Sequence, residues 1–151
     1  MKLGVIGSPI EHSKSPEIHT NFADQFDLEL VFEKYLVSKN ECLEWVKSFF
    51  ESGGLGLSVT LPLKEVVLEI ADDISLRAKQ AAAANMLFLK DGKIFADCTD
   101  GLGLVTDLKT KEIDIADKKI LILGAGGAAK GIVPSLLNCL LYTSPSPRDV
   151  P

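Results

Sequence analysis

Lys119-Ile-Leu-Ile-Leu-Gly-Ala-Gly-Gly-Ala-Ala129 is the stretch from which the fold is most directly read. Lys119 to Leu123 is a short apolar run that feeds the glycine cluster Gly124-Ala125-Gly126-Gly127, with Ala128 and Ala129 opening a helical segment. The pattern G-x-G-x-x-A directly after a strand and before a helix is the context a dinucleotide site requires. Its glycines tighten the turn and let backbone amides approach a pyrophosphate at a helix N-terminus, where the helix dipole favours negative charge. Glycine pairs also end strands for structural reasons alone. The acid expected about 20 residues further on, which would contact the ribose, falls among Tyr142 to Pro147, where neither acid nor strand stands. The residues therefore do not choose between NAD and NADP.

Upstream, strand and helix signals alternate. Lys2 to Gly7 reads as a buried strand that runs into a loop, Ser8 to Lys14. Ser15 followed by Pro16 predicts a capped helix start, with the helix reaching about Phe26. Leu28 to Val37 alternates well enough to be a strand, and Ser38 with Glu41 has the spacing of a capping box. The helix that follows carries Leu43, Val46, Phe49 and Phe50 on one face, so Trp45 with Phe49 and Phe50 belongs to a core. Gly53-Gly54 stops it, Leu57 to Thr60 is a third strand, and Pro62 opens another predicted helix carrying Lys64, Val67 and Ile70. Ser75 to Ala84 is helical, Met86 to Asp97 is a hairpin turning at Asp91-Gly92, and Asp100 to Lys111 is helical again. Such alternation argues for an α/β layer with a largely parallel sheet.

Composition narrows the function classes. The 151 residues carry 16 Lys plus Arg against 21 Asp plus Glu, a formal charge of -5, which removes the basic footprint of a general nucleic-acid binder. Cys42, Cys98 and Cys139 form no C-x-x-C pair, so neither a disulfide framework nor a thiolate zinc site is suggested, and a reducing cytoplasm fits. Leu3 to Ile10 is broken by Gly4, Gly7 and Pro9, unlike a signal peptide. Gly131 to Pro147 contains three prolines and is too interrupted to span a bilayer, so the chain reads as soluble with no membrane partner. His12 and His19 straddle a loop and a helix without metal-ligand spacing, and no metal is expected.

Two polar positions stand where α/β ligands bind. A strand delivers Thr60 and the following turn delivers Lys64 to one sheet edge. Lys64 could instead pair on the surface with Glu65 or Glu69, and Asp100 could be only a helix N-cap.

Gly7-Ser-Pro-Ile-Glu-His-Ser-Lys-Ser-Pro16, Ser58-Val-Thr-Leu-Pro-Leu-Lys-Glu65, Asn85, Thr99-Asp-Gly-Leu-Gly103 and Gly124-Ala-Gly-Gly-Ala128 together resemble the shikimate dehydrogenase family in order and spacing. The resemblance covers Met1 to about Asn138 and implies a substrate-binding α/β domain followed by the start of a Rossmann domain that binds NADP. By position it implies Lys64 and Asp100 as the catalytic pair. Ser13 and Ser15 match the hydroxyls that hold the substrate carboxylate, and Ser58, Thr60 and Asn85 match further substrate contacts. Gly124, Ala125, Gly126, Gly127 and Ala128 match the cofactor turn. The implied reaction is the reversible reduction of 3-dehydroshikimate to shikimate by NADPH, a step of aromatic amino acid biosynthesis. An ammonium near the carbonyl oxygen suits that chemistry, because it stabilises and protonates the alkoxide that forms.

The family pattern is not matched everywhere. Ser58 replaces an Asn, Cys98 replaces the Asn before Thr-Asp-Gly, and Ala82-Ala-Ala-Asn-Met86 replaces Gly-Ala-Val-Asn-Thr. A quinate-using relative and a non-catalytic ligand-binding module are the two rival readings. Residues 1–100 are expected to form the substrate domain and 101–138 the beginning of the truncated nucleotide-binding domain. The stretch Cys139 to Asp149 resembles a translated sequencing adaptor, so 139–151 is expected to be a non-native tail and the chain an N-terminal half, inactive alone. The small-molecule substrate is the one partner implied; homodimerisation stays open.

Overall fold

The structure, a computed structural model, describes residues 1–140. The expectation about the tail falls, from residue 141 onward, outside the described residues. Strands β1 (Lys2–Gly7), β2 (Val31–Leu36), β3 (Gly56–Val59), β4 (Asp73–Ile74), β5 (Met86–Lys90) and β6 (Lys93–Asp97) form one sheet in the order β2-β1-β3-β5-β6-β4. Helices α1 (Ser15–Gln25), α2 (Cys42–Glu51), α3 (Leu76–Ala81), α4 (Asp100–Thr110) and α5 (Gly127–Leu140) accompany it.

Parallel pairing joins β1 to β2 and β3, and β4 to β6, as the alternating pattern predicts. The β5–β6 hairpin runs antiparallel to β3, which makes the sheet mixed. Asp91 and Gly92 take φ of 51° and 74°, the left-handed values a two-residue hairpin turn needs.

Each strand presents alternate residues to opposite faces. On one face Ile6, Leu57, Val59 and Leu87 meet Cys42, Val46, Phe49 and Phe50 of α2, with Val67 closing the layer. Each such buried side chain contributes ~1.5–3 kcal/mol of hydrophobic stabilisation. Tyr35 of β2 points into this layer against Trp45 and Phe49. Phe32, three residues earlier and on the other face, stacks on His19 of α1 with ring centroids 4.4 Å apart. Trp45 and the two phenylalanines are thus packing residues, and His19 is a packing residue of α1.

Local signals were displaced in several places. Lys14, not Ser15, is the N-cap of α1 and makes no side-chain cap; Ser15 lies inside the first turn, and its amide donates instead to Ser13 Oγ at 3.3 Å. Ser38 and Glu41 do bond, but through their side chains, and α2 starts only at Cys42, so the pair ties a turn rather than capping the helix. After Pro62 the chain forms turns and one 3-10 turn, Val66–Glu69, in place of the predicted helix: the Lys64 carbonyl, which an α-helix would offer to the Leu68 amide, accepts the Ala84 amide instead, and Leu68 N turns to Glu65 O. Thr99, not Asp100, is the N-cap of α4. Lys119 to Leu123 forms no strand: among the described residues nothing pairs with it, and Leu121 and Leu123 are 84% and 90% exposed.

Candidate active site

The parallel strands β1 and β3 end at the same edge, where β5 begins and β6 ends, because Ser58 is opposite Met86 and Met86 opposite Asp97. The loop after β1, Thr60 and Lys64, Asn85, and Thr99-Asp100 therefore all emerge at one lip of the sheet.

Lys64 is fixed by its neighbours. Leu63 on one side is fully buried, the Leu63 amide donates to Thr60 O at 2.9 Å, and Lys64 O accepts the Ala84 amide at 2.7 Å. The Lys64 side chain is 13% exposed and its Nζ donates to Asp100 Oδ2 at 2.5 Å; the Asp100 side chain is 23% exposed. Asp100 occupies the first turn of α4, where the helix dipole favours a negative charge. Glu65, the surface partner considered for Lys64, is taken by Lys130 of α5 at 2.7 Å, which holds its carboxyl below the usual carboxylate range.

Asn85 closes the back of this edge. Its amide donates to Asp97 O at 3.0 Å and its carbonyl accepts the Val59 amide at 2.8 Å. Its side chain accepts the Thr99 amide at 2.8 Å and donates to the Thr99 hydroxyl at 2.9 Å. Thr99, which the sequence places in a motif without assigning it a role, is the link between Asn85 and Asp100.

A cavity of about 290 Å³ is lined by Lys39, Thr60, Pro62, Lys64 and, across from them, Gly126, Gly127 and Ala128. The glycine turn thus faces the lysine. A Cβ added to Gly127 would come 3.1 Å from Lys64 Cβ, and one added to Gly126 would meet open space. Gly124 takes φ of 113°. Free amides at the N-terminus of α5, glycines without side chains and an adjoining hollow fit a dinucleotide pyrophosphate; Gly124 to Ala128 would hold it. Behind this turn α5 lies so close to α4 that a Cβ on Gly131 would sit 2.9 Å from Asp100 Oδ2 and 3.1 Å from Cys98 Sγ. Glycine at 131 is what allows that approach.

The remaining expected residues gather less tightly. Ser13 Oγ donates to Ser15 Oγ at 3.2 Å, and Ser13 lines a separate hollow with Glu11, His12 and Lys34. Ser58 lines a smaller hollow on the α1 face with His19, Phe32 and Met86. Among the described residues no group of three or more His, Cys, Asp or Glu side chains is arranged to hold a metal ion, and no helix is long and apolar enough to cross a membrane.

The profile of the shikimate dehydrogenase substrate binding domain matches residues 5–87. The shikimate dehydrogenase (NADP(+)) of Colwellia psychrerythraea is 47% identical over 133 residues, an alignment that takes in 88% of this chain and 48% of that protein. The solved shikimate 5-dehydrogenase of Thermus thermophilus in complex with shikimate superposes with a TM-score of 0.85 at 30% identity, over 91% of this chain and 52% of that one. The 5-ketofructose reductase of Gluconobacter sp. strain CHM43 superposes with a TM-score of 0.82 at 28% identity, over 93% and 50%. The chain spans about half the length of the curated relatives it matches.

Proposed function

Because this chain belongs to the shikimate dehydrogenase family, through its substrate-binding domain, we propose that it supplies the substrate half of an NADP-dependent enzyme interconverting 3-dehydroshikimate and shikimate. In this reading 1–100 is the substrate domain and 101–138 opens the nucleotide-binding domain. The observation that carries it is the Lys64–Asp100 pair, largely withdrawn from solvent beside a glycine turn.

When bound, the nicotinamide supplies or accepts the hydride. This chain's residues manage the proton and the charge. As the ketone carbon is reduced, its oxygen gains negative charge, and the Lys64 ammonium stabilises it and delivers a proton. In the reverse direction neutral Lys64 takes that proton from the alcohol. Asp100 holds the Nζ in place and has lone pairs left for a substrate hydroxyl. Ser13 and Ser15 hold the substrate carboxylate, while Ser58, Thr60 and Asn85 contact its ring hydroxyls.

Ketone reduction of a related polyol is the second reading, favoured by the likeness to a 5-ketofructose reductase and by Ser58, a shorter donor than the Asn it replaces. One assay separates the two. In a chain continued through the rest of the nucleotide-binding fold, kcat/KM for shikimate should exceed that for quinate, and Lys64→Ala should lower kcat about 10³-fold with KM changing far less. Residues 1–151 alone should show negligible turnover. A quinate preference moves the assignment to the second reading, and an unaltered kcat in Lys64→Ala removes the lysine from the mechanism.

A further inference from the structure

We propose that Asp97, locked by Arg77, is a positioning residue that sets the Lys64–Asp100 pair from behind; the inference rests on the function proposed above. Asp97 is the final residue of β6 and is 8% exposed. Its Oδ1 accepts from Ser75 Oγ at 2.6 Å, from Arg77 Nε at 2.6 Å and from the Cys98 amide at 2.8 Å, while Arg77 Nη2 donates to Oδ2. Its backbone oxygen accepts the Asn85 amide at 3.0 Å.

These bonds have a direction. Ser75 is the N-cap of α3 and Arg77 stands in that helix's first turn, so the carboxylate pins the exit of β6 to α3. Three residues follow in sequence: Cys98, whose amide Asp97 orients; Thr99, which Asn85 grips by amide and hydroxyl; and Asp100, which meets Lys64. The Asn85 segment also reaches Lys64 directly, through Ala84 N to Lys64 O. A shift at Asp97 is therefore delivered to both members of the pair. Only an ionised carboxylate can accept from every donor that surrounds it; an amide would turn N–H groups towards the Arg77 guanidinium or the Ser75 hydroxyl. Arg77 itself lies about half exposed and well outside the Lys64 cavity. Its effect on the site has to pass through Asp97.

The test reads the amine without needing turnover. The full 151-residue chain is acylated with a small amine-specific ester at a temperature where circular dichroism shows it folded, and the rates at Lys64 and Lys47 are followed by peptide mass spectrometry. Lys47, on the exposed side of α2, is the internal reference. Lys64 should react more slowly than Lys47 in the unaltered chain. Asp97→Asn and Arg77→Gln should each raise the Lys64 rate about fivefold, equivalent to ~1 kcal/mol of lost order, with Lys47 unchanged. Arg77→Lys, which keeps the charge, should fall back towards the unaltered chain. A role confined to stability would lower the melting temperature and leave the Lys64 to Lys47 ratio where it was, and that outcome overturns the proposal. Should Asp97→Asn fail to fold, Arg77→Gln decides the matter alone. Added shikimate addresses the functional reading separately: protection of Lys64 in the unaltered chain supports it. Faster labelling in the variants without shikimate protection leaves the positioning intact and defeats the substrate assignment.

Discussion

Asp97 is the one charged residue that the fold takes almost wholly out of solvent among those described, and it stays ionised because its partners outweigh its burial. The Arg77 guanidinium, then the Ser75 hydroxyl and the Cys98 amide, hold its carboxyl below the ordinary carboxylate value, against the burial that would raise it. A carboxyl whose folded-state pKa is depressed stabilises the fold in full above its unfolded value, about 3.9, and loses that contribution as pH falls through the folded value. The contribution of Asp97 should accordingly be flat through neutral pH and decline below about pH 4. Asp97→Asn should cost about 2 kcal/mol at pH 7, the scale of charge-assisted bonds lost, and show a shallower acid decline in denaturant titrations. An acid limb of the same slope in both proteins would rule Asp97 out as its source. Cys98, beside it, contrasts: burial pushes its thiol up, so it packs as a neutral side chain against Gly131 O and offers no thiolate near neutral pH.

At the scale of elements, the hairpin between β5 and β6 aligns the two strand ends that carry Asn85 and Asp97. Its turn depends on the left-handed conformation at Gly92, where a side chain is strained by backbone geometry although space is open. Gly92→Ala should lower stability by ~1 kcal/mol in chemical denaturation while leaving the core untouched; a larger loss would mean the hairpin also governs strand register. This turn was legible in advance because Asp-Gly states its own dihedral needs. The buried strands β1 and β3 were legible as short apolar runs; position put Lys64 at a sheet edge but left its role open, and its pairing with Asp100 came only from the family resemblance. What escaped was whatever depended on distant partners. Ser38 and Glu41 have capping-box spacing, yet the turn through Asn40 delays α2 to Cys42, so their side chains meet each other. Pro62 promises a helix, but the Lys64 carbonyl is drawn off to the Ala84 amide twenty residues away, and the segment settles into turns and a 3-10 stretch. Arg77 carries no motif at all, and Thr99 stood within Thr99-Asp-Gly-Leu-Gly103 without a role of its own. Their parts appear only when β6 is laid beside β5 and the start of α3, and the one early sign was an acid ending the apolar run Ile94-Phe95-Ala96.

For the molecule as a whole, the two halves of the site are unequally supported. Lys64 and Asn85 stand at the end of a sheet whose core is closed by α2, and Asp100 opens α4 beside them, whereas the glycine turn leads into α5 after a stretch with no strand partner among the described residues. Lys119 to Leu123 keeps its apolar sequence but exposes Leu121 and Leu123, and an unpaired apolar run with open amides and carbonyls is a template for pairing with another chain. A net charge of -5 opposes association only at long range, and salt screens it beyond about 8 Å at physiological ionic strength. The chain should therefore self-associate as its concentration rises in buffer of about 0.15 M salt. Replacing Leu121 and Leu123 together with Lys should suppress this, because edge lysines repel a second strand and neither side chain contributes to the core. Light scattering across a concentration series distinguishes the outcomes: equal association in the double variant would place the sticky surface elsewhere, with the exposed Phe22 and Phe26 at the end of α1 as the next surface to alter. If the variant stays monodisperse and still binds shikimate, the substrate half folds and recognises its ligand without order in the nucleotide strand, which is the division of labour the sheet and its core imply.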